Sequence, residues 1–512
     1  MVSTHKHAQL WEALTLNFKI MAIRRYSTII LTALALSLTN SGCEKYLDVD
    51  PPYAQDAENY FNSKQDYELA LIGAYDLLQA SYLTLWIGEI ASDNAIAGGE
   101  SVNDSEGLHQ IQAMTHNAVN NELRSIFRWN YAGIARTNFI MEFKDKTDFD
   151  GKEQILGETR FLRAYYYFEL VKYFGDVPLI IDKRLGAEEV TEVARTPRAE
   201  IYAQIESDLR YAANNLPWNN PVKGKAEKGS ALALLGKVYL YQNKFAQAAV
   251  VLDEVINDGP YSLMDNFGDL WFAANEDNSE TVFDVEYSNL EGGSYDCLIC
   301  LEGNAAAGFQ GIRQYEGPFY GDGNSYNLPT ADLYNAFPVN DPRRDLTVLN
   351  LDSFINLQPD PGSISYAIGG GGHTGFYNNK YIKRQSELGL PDDDLTSPLN
   401  YKAIRYADVL LMAAEAHTRN NNDGPALTYL NEVRDRVGMP AISASGQQLT
   451  EAIWEERRYE LSGEGLRFFD LVRTGKAATS INNFTSGKNE IFPIPQVEID
   501  LAGGIWTQNS GY

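Results

Sequence analysis

The segment E-T-R-F-L-R-A-Y-Y-Y-F-E-L-V-K-Y-F-G-D-V-P-L-I-I, Glu158 to Ile181, constrains the fold more than any other. Phe161, Leu162, Tyr165, Tyr166, Phe168, Leu170, Val171 and Phe174 recur at helical spacing. They cover more than one stripe, so this helix needs neighbours on at least two sides. Gly175 suits its end, because a residue without Cβ turns left-handed at no steric cost. Pro178 keeps the helix from resuming.

Other segments supply the neighbours. Helical patterns run over Asp66–Leu85 (Leu69, Ile72, Tyr75, Leu77, Leu78) and Asn121–Lys144 (Phe127, Tyr131, Ile134, Asn138, Ile140). Thr196-Pro197 predicts an N-cap and first turn for a helix reaching Leu216. Leu232-x-x-Leu235-Gly236-x-x-Tyr239, then Ala248-x-x-x-Leu252 and Pro260, follow tetratricopeptide spacing, in which small residues let antiparallel helices approach closely. Further pairs are expected at Tyr401–Asn421 with Gly424–Val437, at the central helix with Arg198–Leu216, and at Thr450–Leu461 with Leu466–Thr474. One repeat cannot bury its own face, so several must stack. The fold class is therefore mostly α, a tetratricopeptide-like helical-repeat scaffold with long ordered loops and a few short strands.

Residues 276–400 interrupt the helices. Gly292-Gly293, the run Gly369–Gly372 and many Asn, Asp and Pro argue against helix. Tyr287, Tyr295, Phe309, Tyr315, Phe319, Tyr320 and Tyr326 make the stretch too aromatic for a disordered linker. It reads as ordered loops with short strands such as Thr281–Tyr287. Loops on a rigid scaffold are where binding residues gather.

The formal net charge is −27, and removing residues 1–42, which carry a net +3, leaves −30. Such acidity excludes nucleic acid and anionic lipid as natural partners. Cys297-Leu-Ile-Cys300 has no second Cys pair and no nearby His, so a local disulfide or two free thiols fits better than zinc or redox catalysis. No metal or cofactor site is expected. The paired carboxylates of Trp454-Glu455-Glu456-Arg457-Arg458 read as helix-surface salt bridges rather than as an acid–base pair.

At the start, Arg24-Arg25 precedes the apolar run Ile29–Leu38 and then Asn40-Ser41-Gly42-Cys43, the layout of a signal peptide. The run is shorter than the ~20 residues needed to span a bilayer. A Cys after small residues resembles a bacterial lipobox, which makes Cys43 the lipidated residue. Met21 is a better start than Met1, since residues 1–20 do not look like part of a signal.

These pieces together resemble the SusD/RagB family of outer-membrane nutrient-binding lipoproteins. The resemblance rests on the lipobox, R160-F-L-R-A-Y-Y-Y-F-E-L-V-K-Y-F-G-D-V-P-L179, A231-L-A-L-L-G-K-V-Y-L-Y241 and F337-x-x-x-D341-P-R-R344. I404-R-Y-A-D-V-L-L-M-A-A-E-A416, L430-N-E-V-R-D-R-V437, the segment W454 to L471 and the ending F492-P-I-P-Q complete it. It implies a signal peptide at 1–42, a lipidated tether at 43–60, an N-terminal helical region at 61–275, ligand-binding loops at 276–400 and a C-terminal helical region at 401–512. It also implies a non-enzymatic, surface-exposed protein that delivers glycan, or sometimes peptide, to a SusC-like TonB-dependent transporter. Carried over by position, ligand contacts are expected from Asp93 and Asn94 and from the aromatics Tyr287, Tyr295, Phe309, Tyr315, Phe319 and Tyr320. Arg384 is a forked donor to hydroxyls or a carboxylate, and Cys297 falls in the same stretch. Trp86 and Trp271 are stacking candidates by residue type, with core packing as the equal alternative. The acidic balance leans toward a neutral polymer such as a glucan or fructan.

Overall fold

Helices α1 (Lys64–Asp76), α2 (Tyr82–Ile90), α3 (Glu106–Gln112), α4 (Asn121–Glu142), α5 (Lys152–Phe174), α6 (Arg198–Asn215), α7 (Lys228–Tyr241) and α8 (Phe245–Asp258) fill the N-terminal half. The computed structural model describes residues 60–512, apart from 187, 296, 298, 299, 390, 391, 393 and 394. The signal-like segment and Cys43 lie outside the described residues. Helix α5 is the aromatic segment. It starts after Gly151 (φ 86°) and stops at Gly175 (φ 71°), both in the left-handed region that glycine tolerates. From Ile155 to Phe174 every residue but Arg160 is buried, with α4 and α6 packed alongside. The Tyr166 ring lies so close to Gly133 of α4 that a Cβ there would come within 2.4 Å of it. Two of the polar groups buried with this helix are bonded to its neighbours. The Tyr166 hydroxyl donates to the Ala74 carbonyl (2.6 Å), and Arg163 forms a two-pronged pair with Asp208 of α6 (2.8 Å each).

The α7–α8 hairpin is the predicted repeat. Gly236 is required there because a Cβ would sit 2.5 Å from Leu252. Helices α9 (Ala305–Gln310), α10 (Ala331–Ala336), α11 (Arg343–Thr347) and α12 (Leu351–Asn356) are short and lie in the irregular stretch. Helices α13 (Tyr406–Arg419), α14 (Asp423–Arg436), α15 (Gly446–Leu461) and α16 (Arg467–Arg473) follow. Helix α13 packs on α8, α14 and α15, which joins the repeats into one scaffold. The middle stretch is ordered by small ladders. Ala95–Ala97 pairs with Asn327–Pro329, Thr281–Val285 with Tyr401–Arg405, and Val348–Asn350 with Phe376–Asn378, all antiparallel. Among the described residues no helix is long and apolar enough to cross a membrane.

Four local expectations need correction. The first helix breaks into a tighter 3₁₀ turn at Leu77–Ser81, and its buried face is Tyr67, Leu71 and Ala74, leaving Leu69 and Ile72 in solvent. Thr196 is not the N-cap. Its amide donates to the Val177 carbonyl, and α6 starts one residue later, after Pro197. Tyr401–Arg405 is a strand, not helix: it pairs with Thr281–Val285, and its Lys402 and Arg405 are buried in ion pairs with Asp284 and Glu280 of that strand and the residue before it. Helices α15 and α16 do not form a repeat pair. The turn through Gly463 (φ 83°) and Gly465 (φ 81°) sends α16 against α2, where a Cβ on Gly88 would meet the Gly465 carbonyl at 1.9 Å.

The irregular stretch is fastened to the scaffold by buried charge. Glu460 of α15 accepts from Arg405 (2.6 Å), Arg343 (2.8 Å) and Arg436 (2.5 Å). Arg405 also reaches Glu280 (2.7 Å) and Glu464 (2.8 Å), and Lys380 bonds Glu464 (2.6 Å). Burial alone would raise the Glu460 pKa, but Arg436, Arg405, Arg343 and Lys380 together hold it well below the usual carboxylate range. Glu456 likewise pairs with Arg343 (2.6 Å) and with Arg434 of α14 (2.5 Å), so this carboxylate of the Trp454–Arg458 motif is tied up in tertiary contacts rather than in a bridge along its own helix, while Glu455 is exposed.

Glu460→Gln leaves three guanidinium groups under-compensated and is expected to destabilise the fold by about 3–5 kcal/mol, measured by denaturant unfolding. A carboxylate whose folded pKa is depressed gives stability that is present above its unfolded value of ~4.3 and is lost as pH falls below it. The Glu460→Gln protein should therefore lose less of its stability than the wild type between pH 5 and 3. Gly88→Ala should lower the thermal midpoint, because its Cβ meets a backbone carbonyl, while Gly424→Ala, which meets nothing within 4 Å, should not.

Candidate glycan-binding face

Two regions far apart in sequence are zipped together at the surface. The ladder between Ala95–Ala97 and Asn327–Pro329 continues outward as Gly98 N–H to Tyr326 O (3.1 Å) and Gly99 N–H to Ser325 O (2.9 Å). A third strand of backbone, the glycine run at 369–372, lies flat on this loop. Gly370 N–H donates to Glu100 O (2.7 Å) and Gly371 N–H to Gly99 O (3.3 Å). Cβ atoms on Gly369 and Gly371 would approach the carbonyls of Gly99 and Gly98 within 2.0 and 2.2 Å, so only glycine permits this contact.

Aromatic rings climb from the core to this surface. Tyr82 and Trp86 of α2 are in edge contact (5.3 Å), and Trp86 meets Phe309 of α9 edge-on (4.9 Å). Phe309 in turn supports Tyr326 (5.6 Å) and Tyr295 (6.5 Å). Trp86 and Phe309 are buried, Tyr326 is half-buried, and Tyr295 is 62% exposed. The rings are thus supported from beneath and end in phenols open to solvent. Polar groups ring them. The Tyr326 hydroxyl donates to Asp104 (3.2 Å), whose other oxygen accepts from the Glu100 amide (2.9 Å), and Arg313 pairs with the exposed Glu100 (3.1 Å). Cys297 and Cys300 are joined as a disulfide two residues past Tyr295, which closes that turn and leaves neither thiol free. Exposed rings on a rigid base, with carboxylates and a guanidinium at their edge, suit a flat ligand with an apolar face and hydroxyls around it.

The remaining sequence candidates lie elsewhere. Asn94 is fully buried, accepting from Arg458 (2.9 Å). Asp93 forms a two-pronged pair with Arg467 (2.7 and 2.8 Å). Burial would raise its pKa, but the Arg467 bonds and the charges of Arg467 and Arg458 bring it below the ordinary value. Both residues hold the turn after α2 against the C-terminal helices, so their polar groups are already spent on the fold. Tyr287 is a core residue whose hydroxyl donates to Gln79 O (2.6 Å). Tyr315 packs with Tyr320 in an apolar cluster. Trp271, Phe319, Tyr320 and Arg384 gather around a separate cavity. Tyr326, Asp104, Glu100 and Arg313 are members of the face that sequence reasoning did not select. The polar loop at 98–104 was visible, but nothing local shows that it meets Tyr326.

Residues 279–512 match a family model described as the SusD family, and residues 45–240 match one described as starch-binding, associating with outer membrane. A solved laminarin-binding SusD-like protein is 35% identical, covers 88% of this chain and 100% of its own, and superposes with a TM-score of 0.81. Surface glycan-binding protein A from Bacteroides thetaiotaomicron, solved with laminarihexaose, is 25% identical over 87% of this chain and 99% of its own, with a TM-score of 0.78. SusD-like protein P25 of Formosa agariphila is 24% identical over 85% of this chain and 87% of its own. On the 35% identity over nearly the whole of the laminarin-binding relative, together with the two family models, the chain belongs to the SusD family of starch- and glycan-binding proteins.

Proposed function

We propose that the protein captures a neutral glucan of the laminarin type on the face formed by Tyr295, Phe309 and Tyr326. The observation that carries this reading is the exposed Tyr295 ring above a buried aromatic support, beside hydroxyl-bonding Asp104, Glu100 and Arg313. Aromatic faces take the apolar side of a sugar ring, and the carboxylates and guanidinium take its hydroxyls. The two acidic side chains at the rim disfavour a polyuronate. The likeness to a laminarin-binding protein at 35% identity supports the same ligand class. On this reading the protein binds without hydrolysing: in the Trp454–Arg458 motif Glu456 is buried in ion pairs with Arg343 and Arg434 and does not serve as an acid–base partner to Glu455. Lipidation at Cys43 would hold it on the outer membrane, facing the cell exterior, where it passes glycan to a SusC-like TonB-dependent transporter.

Affinity electrophoresis of protein beginning at residue 44, against neutral and acidic polysaccharides with an assay for released sugar, tests this. Retardation by laminarin without sugar release is expected; retardation only by acidic polymers, or release of sugar, would overturn it. Tyr295→Ala should weaken laminarin binding by about 1–2 kcal/mol, roughly 5–30-fold. Asp93→Asn should lower the thermal midpoint and leave binding unchanged, since that carboxylate is spent on Arg467 and Arg458.

A further inference from the structure

Trp271, Phe272, Phe319, Tyr320, Asn379 and Arg384 line a cavity of about 480 Å³ that shares no residue with the Tyr295 face. We propose that this cavity is a second carbohydrate subsite, taking a neutral pyranose unit of the same polymer; the inference rests on reading the chain as a glycan binder.

Two aromatic rings from separate segments open on it. Phe319 is 67% exposed and Phe272 is 39% exposed. Phe319 adopts φ 70°, a conformation that bulky residues rarely take. Its carbonyl accepts the Gln385 amide (2.8 Å), and its ring stands edge-on to Phe354 (6.1 Å), so neighbours hold it in this unfavourable conformation. An apolar ring kept in solvent against its backbone preference is what a stacking platform requires, and packing does not explain it. The polar wall is equally fixed. Arg384 lies 4.6 Å over the Phe272 ring and donates to the carbonyls of Asn379 (2.6 Å) and Ile382 (3.4 Å), two of the bonds open to its five N–H groups. The Asn379 side-chain oxygen accepts from Tyr320 (3.2 Å). A mainly aromatic concavity with a few immobile polar groups is the usual form of a small-molecule site.

Charge decides the kind of sugar. Glu387 sits 3.8 Å from Arg384, and both side chains are largely buried. The cation is thus balanced within the wall, and a neutral ring fits better than a uronate. Two attachment points on one molecule also discriminate by length, because a polymer engages both and a short oligosaccharide engages one at a time.

The test uses protein from residue 44 onward in four forms: wild type, Tyr295→Ala, Phe319→Ala and the double variant, each checked for an unchanged circular-dichroism melt. Calorimetry with laminarihexaose should give two sites per chain for wild type, one for each single variant and none for the double variant. Electrophoresis in laminarin should show Phe319→Ala weakened by about 5–10-fold or more, with Phe319→Trp restoring binding. One site in wild type, with Phe319→Ala indistinguishable from it, would overturn the second subsite while leaving the Tyr295 face standing. That result would fit an apolar partner side chain as the occupant of the cavity. Loss of all binding in Phe319→Ala with none in Tyr295→Ala would overturn both the pairing of sites and the Tyr295 face. Wild type that takes up no laminarihexaose would overturn the glucan reading as a whole.

Discussion

Glu460 is the point at which the irregular stretch is locked to the C-terminal helices. Its carboxylate projects from a scaffold helix and gathers Arg343 from the irregular stretch, Arg405 from the strand before α13 and Arg436 from α14, while Lys380 donates to its backbone carbonyl. An uncompensated charge at that depth would be strongly destabilising, so each partner needs the others in place. The network acts as a geometric lock. It fixes where residues 341–343, 380 and 405 sit on the repeats, and with them the loops in between. Hydrophobic burial drives the helices together, but it is non-directional. Charge-assisted hydrogen bonds with defined angles set the register of a long segment that has little regular structure of its own.

That division of labour suits a binding protein. The repeats supply a rigid base, and the loops are held at discrete points by the Glu460 cluster, by the short ladders and by the glycine contacts at 98–99 and 369–371. Between those points the side chains are free to be chosen for a ligand. Tyr295 and Phe319 both use this freedom, the first above Phe309 and the second in a left-handed backbone. Glu456 of the α15 motif looks catalytic in isolation and is structural in place, because its carboxylate is buried against Arg343 and Arg434.

The scaffold was largely legible in the sequence. Gly175 marks the end of α5, and the spacing from Leu232 to Pro260 marks a hairpin, because helix periodicity and glycine chemistry are local. The strand at Tyr401–Arg405 reads as the start of a helix in sequence, since buried Lys402 and Arg405 leave no clean alternation of apolar and polar residues to reveal it. The binding face was legible only in part. Tyr295 and Phe309 stand out by residue type, but Asp93 and Asn94 carry the same short polar side chains as a ligand loop while being spent on Arg467 and Arg458. Tyr326 and Asp104 become neighbours only through a ladder between residues more than 200 positions apart, a relation that no local pattern encodes.

Hydrogen exchange followed by mass spectrometry, with and without laminarihexaose, addresses most directly where the glycan rests. Protection should concentrate in peptides covering 98–104, 292–302 and 322–327, with the repeat helices α7, α8, α13 and α14 unchanged. Protection confined to the repeat helices, or none at the three loops under saturating ligand, would contradict a glycan face built by loops on an inert helical base.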